Sequence, residues 1–271
     1  MLLPALLLGC FAGRLDASDG IGRMTVAPTK VIAGSSGNTL TFVFTADAGP
    51  LRGQTLLAVQ RSWTAPQAAN PAGAGYVSLD RGSCGSSTRI VRVVGRKILV
   101  ATACGAGAHY TLTYANATAP TFASDGYVFL TETKPTAKPP KRRGKRRPPL
   151  RFRPLADKKQ PVVRVVGGPV TQLTVAATSV ATAGTAFGIT VRALDVYGNA
   201  SESYRGTVTF TSTDPGATLP APYAFVAADT GAHAFSGVMM KTAGAQTIHV
   251  DDGAGHAADS NPIMVSPFPS A

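Results

Sequence analysis

The sequence predicts an all-β protein: two antiparallel β-sandwich domains, residues 20–133 and 162–271, joined by a disordered, basic, proline-rich linker over 134–161. Three observations lead there. The 271 residues contain 29 glycines, 20 prolines and thirty threonines but only two glutamates, Glu132 and Glu202, a mix that favours strands and turns over long amphipathic helices. Apolar residues recur at every second position in short runs bounded by Gly, Pro, Asn and Asp, the period of a half-buried strand. The net charge of +12 is confined, because residues 134–161 hold twelve of the 26 Lys and Arg against one acid, Asp157. A length of 271 residues suits two modest domains at ~100–150 residues each. A large α/β enzyme core is not what this composition builds.

Residues 1–19 read as a signal peptide or anchor segment. Leu2 to Phe11 form a short apolar stretch of secretory-signal character, without a preceding Lys or Arg, and cleavage after Ala12 fits. Leu7-Leu8-Gly9-Cys10 also resembles the lipobox of bacterial lipoproteins, in which Cys10 is the acylated residue. An unprocessed strand or tail is the remaining alternative. No apolar run reaches the ~18–20 residues that a membrane-spanning helix needs, so membrane anchoring is expected through the N-terminus alone.

In the first domain Leu40, Phe42 and Phe44 alternate with threonines and Val43, and Tyr110, Leu112 and Tyr114 alternate with His109, Thr111 and Thr113. Val128 and Leu130 continue the apolar pattern. Trp63, the sole tryptophan, reads as a core or edge anchor. Ile90, Arg92 and Val94 alternate before Gly95-Arg96, and Ile98, Val100 and Thr102 after it, which predicts a hairpin turning at that pair. Folding there brings Cys84 and Cys104 to one open end, where a disulfide would add ~2–4 kcal/mol. The alternative is a reactive Cys104 paired with His109, but no third orienting group accompanies it. A disulfide agrees with an oxidising, exported compartment.

The linker carries seven prolines and a net charge of +11, so it cannot build a core and prefers extended polyproline-II conformations. Its cations, Lys141, Arg142, Arg143, Lys145, Arg146, Arg147, Arg151 and Arg153 above all, are candidates for binding a polyanion by counterion release. Phe152 alone is available for base stacking, which disfavours a single-strand platform. The other reading is a solvated spacer without a partner.

The second domain repeats the alternation in Ile189, Val191 and Ala193, in Val208 and Phe210, and in Ile248 and Val250. The two domains also share an opening phrase. Thr25-Val-Ala-Pro-Thr-Lys-Val31 aligns with Thr174-Val-Ala-Ala-Thr-Ser-Val180, and each runs on to Ala-Gly, at Ala33-Gly34 and Ala183-Gly184. This internal repeat predicts two related sandwiches.

Four phrases make the second domain recognisable: Ala193-Leu-Asp-Val-Tyr-Gly-Asn199, Tyr204-Arg-Gly-Thr-Val-Thr-Phe-Thr-Ser212, Leu219-Pro-Ala-Pro-Tyr-Ala-Phe225 and Lys241-Thr-Ala-Gly-Ala-Gln-Thr-Ile248. Through them it resembles the bacterial Ig-like modules of secreted and cell-surface proteins, the invasin-like and filamin-like groups. The first domain resembles another such module through Val31-Ile-Ala-Gly-Ser-Ser-Gly-Asn-Thr-Leu-Thr-Phe42 and Ser62-Trp-Thr-Ala-Pro66. The resemblance implies two Ig-like sandwiches in a bacterial stalk, an adhesive or structural role, and no catalytic residues to carry over.

Chemistry-bearing motifs are scarce. The chain has no G-x-S-x-G, P-loop, H-E-x-x-H or C-x-x-C. His109, His233, His249 and His256 are dispersed; His233 and His249 meet only if their strands pair, and two histidines make a poor metal site. Asp195-Val-Tyr-Gly-Asn199 and Asp251-Asp252 could offer oxygen ligands to calcium, or could close tight turns through side-chain-to-backbone bonds. Asn116-Ala-Thr118 and Asn199-Ala-Ser201 fit the N-glycosylation pattern. The expected function is therefore non-enzymatic, without cofactor, metal or small-molecule substrate: a secreted or surface-exposed adhesive or spacer protein with an unidentified surface ligand. Polyanion binding (cell-wall polymer, acidic glycan or nucleic acid) through 134–161 is the alternative.

Overall fold

The computed structural model describes residues 20–136 and 150–268, and within them the chain is all-β with two single-turn 3-10 segments, at Asp157–Lys159 and Ala227–Asp229. Residues 1–19, with Cys10 and the expected signal, and residues 137–149, with Lys141 to Arg147, lie outside the described residues.

The strands preceding the basic run are β1 (Arg23–Ala27), β2 (Lys30–Ile32), β3 (Asn38–Thr45), β4 (Leu51–Ala58), β5 (Tyr76–Asp80), β6 (Arg89–Val94), β7 (Lys97–Cys104), β8 (His109–Ala117), β9 (Ser124–Val128) and β10 (Thr131–Pro135). After it come β11 (Arg153–Pro154) and β12 (Val162–Val166). One antiparallel sheet runs β1-β3-β8-β5 and another β11-β10-β4-β7-β6. A third group, β2-β12-β9, has β12 parallel to β2 and antiparallel to β9. Only Phe129 and Leu130 separate β9 from β10, and the bonds from Phe129 N to Pro161 O (3.0 Å) and Ala58 N to Leu130 O (2.9 Å) carry the pairing across that break.

Alternation puts the expected side chains inside: Leu40, Phe42, Phe44, Tyr110, Leu112 and Tyr114 are all buried between the sheets. Trp63 is buried with them, its ring edge-on to Phe129 at 5.2 Å, as expected of a core anchor. Two local expectations are corrected. Val128 and Leu130 are exposed and Phe129 is the buried residue, because the chain changes pairing partner there. Ile90 does not share a face with Arg92 and Val94: the β6–β7 register shifts between Ile90 and Arg92, so Ile90 lies opposite Val100 while Arg92 lies opposite Leu99.

The expected boundary at 134–161 is also corrected. The chain does not leave the first core at Thr133: β10 extends to Pro135, β11 pairs back onto it, and β12 inserts between β2 and β9. Val163 and Val165 are buried in the same core cluster as Leu40, as is Leu155. The turn before β12 is tied down by Gln160, whose amide receives Thr131 N (2.8 Å) and donates to Leu155 O (2.9 Å), and by the ion pair of Lys159 with Asp47 at 2.9 Å. Basic and proline-rich composition concealed a closing strand whose partners are distant in sequence.

The remainder holds β13 (Gln172–Ala176), β14 (Val180–Thr182), β15 (Ala186–Leu194), β16 (Thr207–Ser212), β17 (Tyr223–Ala224), β18 (Ala232–Met239), β19 (Gly244–Gln246), β20 (Ile248–Asp251), β21 (Ala257–Asp259) and β22 (Ile263–Ser266). They form β13-β15-β18, β14-β22-β19 and β17-β16-β20-β21 around a separate cluster that includes Ile189, Val191, Val208, Ile248 and Val250. The shared phrase occupies equivalent places in both halves. β1 and β13 each pair with the long strand that follows, and β2 and β14 each run parallel to a closing strand, β12 or β22. Ala33 N donates to Val166 O (2.8 Å), as Ala183 N does to Ser266 O (2.9 Å). Gly34 and Gly184 both adopt positive φ, +67° and +75°.

Candidate functional site

The most heavily bonded polar cluster sits where the two cores meet. β12 ends at Val166, and Gly167-Gly168-Pro169 leads into the second core. A side chain at Gly167 would collide with the carbonyl oxygen of Ala200, so this close crossing needs glycine. β15 ends at Leu194 and turns through Asp195-Val-Tyr-Gly-Asn199, closed by Asp195 N to Asn199 O at 2.8 Å. Asp195 Oδ1 accepts from Tyr197 N (2.9 Å) and Asn199 N (2.8 Å), while Oδ2 accepts from Gly168 N (2.8 Å) and Asn199 Nδ2 (2.9 Å). Burial alone would raise the Asp195 pKa; the bonds from Asn199, Gly168 and Tyr197 outweigh it, and the net shift is downward. Of the two roles open to this loop, the structure gives it the turn: both carboxylate oxygens already accept N–H groups.

The Asn199 amide faces the other way as well. Its Nδ2 donates to Thr121 O and its Oδ1 accepts from Ala123 N, both at 2.8 Å, in the segment between β8 and β9. Every hydrogen-bonding group of that side chain is thereby used, and it is only 8% exposed, which removes Asn199 as a glycan acceptor. Ser201, fully buried, donates from Oγ to Gly168 O at 2.7 Å. Beside this cluster Arg164 of β12 donates through Nη1 and Nη2 to Glu202 at 3.1 and 2.5 Å and through Nε to Asp125 at 2.6 Å. Gly34, from the first half of the repeat, lies directly under the ring of Tyr197. A cleft of about 470 Å³ opens alongside, between Lys30, Pro169, Glu202 and Arg205.

The remaining candidates are placed as follows. Cys84 and Cys104 are joined by a disulfide with Cα atoms 4.3 Å apart, at the open end of the β6–β7 hairpin that turns at Gly95-Arg96. Cys104 is thus not a free thiol, and His109 Nδ1 instead lies 3.2 Å from Ser83 Oγ. Arg153 pairs in β11 opposite Thr133, and Arg151 is exposed just before it. His233 and His249 do not meet, because β18 and β20 belong to different sheets. Each has an aspartate instead: His233 with Asp229 at 2.7 Å and His249 with Asp259 at 2.8 Å, while His256 holds Asp252 at 2.8 Å. The spacing of four in Asp229–His233 and Asp252–His256 was a readable signal for two of these pairs. Asp252 also accepts from Tyr204 Oη (3.0 Å) and, like Asp251, closes a turn by accepting backbone N–H groups. Among the described residues no group of three or more His, Cys, Asp and Glu is arranged to hold a metal ion, and no helix is long and apolar enough to cross a membrane.

No protein-family model and no curated protein matches the chain. Among solved structures it is similar to the Escherichia coli adhesin FdeC, at 18% identity and TM-score 0.38, over 94% of this chain and 66% of that one. It is similar to the Yersinia pseudotuberculosis adhesin InvE at 13% identity and TM-score 0.29, over 90% of this chain and 58% of that one. A marsupial T cell receptor is similar at 12% identity and TM-score 0.26, over 92% of this chain and 75% of that one.

Proposed function

We propose that the chain is a non-enzymatic protein of the bacterial cell surface or secreted space, in which two Ig-like sandwiches form a stiff adhesive or spacer stalk. The observation that carries this reading is the Asn199 amide, bonded at once to Asp195 in its own core and to Thr121 and Ala123 in the other. A flexible tether would leave these groups to water. Here they are mutually satisfied, with Asp195 and Asn199 buried and the bonds to Thr121 and Ala123 part-buried, so bending the junction breaks several bonds worth ~0.5–1.5 kcal/mol each. The bidentate Arg164–Glu202 pair adds orientation more than energy, being partly exposed. A stiff junction is what a protein needs to hold a binding surface away from a cell.

The test is small-angle scattering on the full chain and on Asn199→Ala combined with Glu202→Ala. The stalk reading expects a narrow distribution of distances between the two cores for the parent and a broader one for the double variant, with both cores still folded by calorimetry. A parent distribution as broad as that of the variant would overturn it.

A further inference from the structure

We propose that the outer face of the β11-β10-β4-β7-β6 sheet is a docking surface for an acidic polysaccharide, with Arg52, Arg92 and Lys97 as its principal contacts. The register defines the face. Arg92 lies opposite Leu99, Val94 opposite Lys97 and Arg89 opposite Ala101, while Leu56, Gln54 and Arg52 continue it on β4 and Glu132 and Lys134 on β10. The inward-facing positions of the same strands, Leu51, Leu57, Ile98 and Val100, are core residues. Five cations thus stand against one acid, Glu132, on a single sheet face.

No acid among the described residues neutralises these cations, although Arg89 donates to Ser87 O at 3.3 Å and Lys134 lies over the Phe152 ring. Among the described residues none of Arg52, Arg89, Arg92, Lys97 and Lys134 makes an ion pair, whereas Lys159 and Arg164 elsewhere do. Arg52, Arg89, Arg92 and Lys97 are exposed. Between them lies a shallow depression of about 410 Å³ lined by Arg92, Lys97, Lys134, Gln54, Leu99 and Phe152. Val91 and Val94, 46% and 59% exposed, add apolar surface at its margin.

The chemistry of the occupant follows. Three strand spacings, about 14 Å, separate β6 from β10, so the charges are spread over a plane rather than gathered around one anion. Such an array suits a linear polymer with repeated anionic groups, held mainly by counterion release. The floor of amide and aliphatic side chains suits the mixed polar and C–H faces of sugar rings. Nucleic-acid bases would find no free stacking partner, because Lys134 Nζ sits 5.7 Å over the Phe152 ring. The chain's own basic run, 141–147, lies between β10 and β11 in sequence, and its charge, of the same sign as the face, excludes it as the occupant.

The experiment measures binding of the full chain to polygalacturonate and chondroitin sulfate, with neutral dextran, a single-stranded DNA and vesicles containing phosphatidylglycerol as comparison probes, at low and moderate salt. The expected result is binding to both acidic polysaccharides, none to dextran, and weaker binding to DNA and vesicles. Arg52→Ser with Arg92→Ser and Lys97→Ser should lose roughly tenfold or more in affinity and flatten the salt dependence. A control of equal charge change, Arg23→Ser with Arg192→Ser and Lys241→Ser, should change affinity less than threefold. On the unaltered protein, bound polysaccharide should protect Lys97 and Lys134 from amine acylation but leave Lys241 reactive, a readout independent of any variant's folding. Equal loss in the control, unchanged binding by the face variant, unprotected Lys97 and Lys134, or DNA or vesicles binding as tightly as polysaccharide would each overturn the proposal. None of these outcomes bears on the stiffness of the junction, so the stalk reading stands or falls separately.

Discussion

Asn199 Nδ2 lies 2.9 Å from Asp195 Oδ2 and 2.8 Å from Thr121 O, so one side chain stitches its own turn to the opposite core. Replacing it by alanine leaves the Ala123 N–H and the Thr121 carbonyl without this partner and takes one donor from Asp195, which keeps its bonds from Gly168, Tyr197 and the residue-199 backbone N–H. Asn199→Ala should cost about 1–3 kcal/mol in the second core and speed deuterium exchange at Ala123 by tenfold or more. Exchange at Ala123 unchanged by the variant would show that the bond does not hold the junction.

The two glycines of the internal repeat give a matched comparison. Gly34 and Gly184 share a positive φ, +67° and +75°. Only Gly34 lies under a ring of the other half, that of Tyr197; the nearest outside atom to a side chain at Gly184 would be Phe268 Cδ2 at 3.7 Å. Gly34→Ala should therefore destabilise by roughly 1–3 kcal/mol more than Gly184→Ala, as backbone strain is common to both and overpacking is not. Equal losses in urea unfolding would mean that Tyr197 yields freely.

The Cys84–Cys104 bridge closes a loop with a sequence separation of 20, and removing it as Cys84→Ser with Cys104→Ser should cost roughly 3 kcal/mol. Trp63 is the sole tryptophan and is buried in the first core, so its fluorescence reads that core alone. The tryptophan transition should move to lower denaturant while calorimetry of the second core stays put. A second-core transition that moves with it would indicate that the cores unfold as one unit.

Acid should weaken the second core through Asp214. Its carboxylate receives Lys241 N, Thr242 N, Gly216 N and Thr242 Oγ1 between 2.6 and 3.0 Å. Burial raises its pKa, the hydrogen bonds outweigh that, and the value falls from 3.8 to about 2. Because the folded value lies below the unfolded one, the stabilisation is complete above the unfolded pKa of 3.8 and is lost as pH falls towards 2. Calorimetry across that window should show the second-core transition falling steeply. Asp214→Asn should flatten that slope and lower stability by about 2 kcal/mol at neutral pH, since its NH₂ would face other donors.

Local pattern carried much of the strand layout. The β6–β7 turn, the cysteine pairing, the buried face of β3 and the equivalence of the two opening phrases all depend on residues near one another in sequence, where period and turn chemistry speak directly. Other features were illegible for a physical reason. Val162–Val166 looks like the start of a new domain because its partners, Lys30–Ile32 and Ser124–Val128, are remote, and proline and charge between them mimic a tether. Likewise Asp195-Val-Tyr-Gly-Asn199 announced a turn, but nothing local reveals that the amide closing it also reaches Thr121 and Ala123. The basic sheet face was missed because its arginines and lysines come from separate strands, each carrying too few charges to stand out beside 141–147.

The position of the basic run, between β10 and a closing strand that belongs to the first core, makes that core a natural split protein. One cut between Lys141 and Arg147 would yield two polypeptides but not two particles. The N-terminal fragment lacks β12 and leaves β2 and β9 unpaired; the C-terminal fragment carries β12 with Val163 and Val165 bare. Each fragment is the missing piece of the other, and the disulfide, lying wholly in the N-terminal fragment, plays no part in holding them together. Nicking and severing are therefore different events in this molecule: a cleaved chain would keep its stalk until something pulled β12 out of its slot.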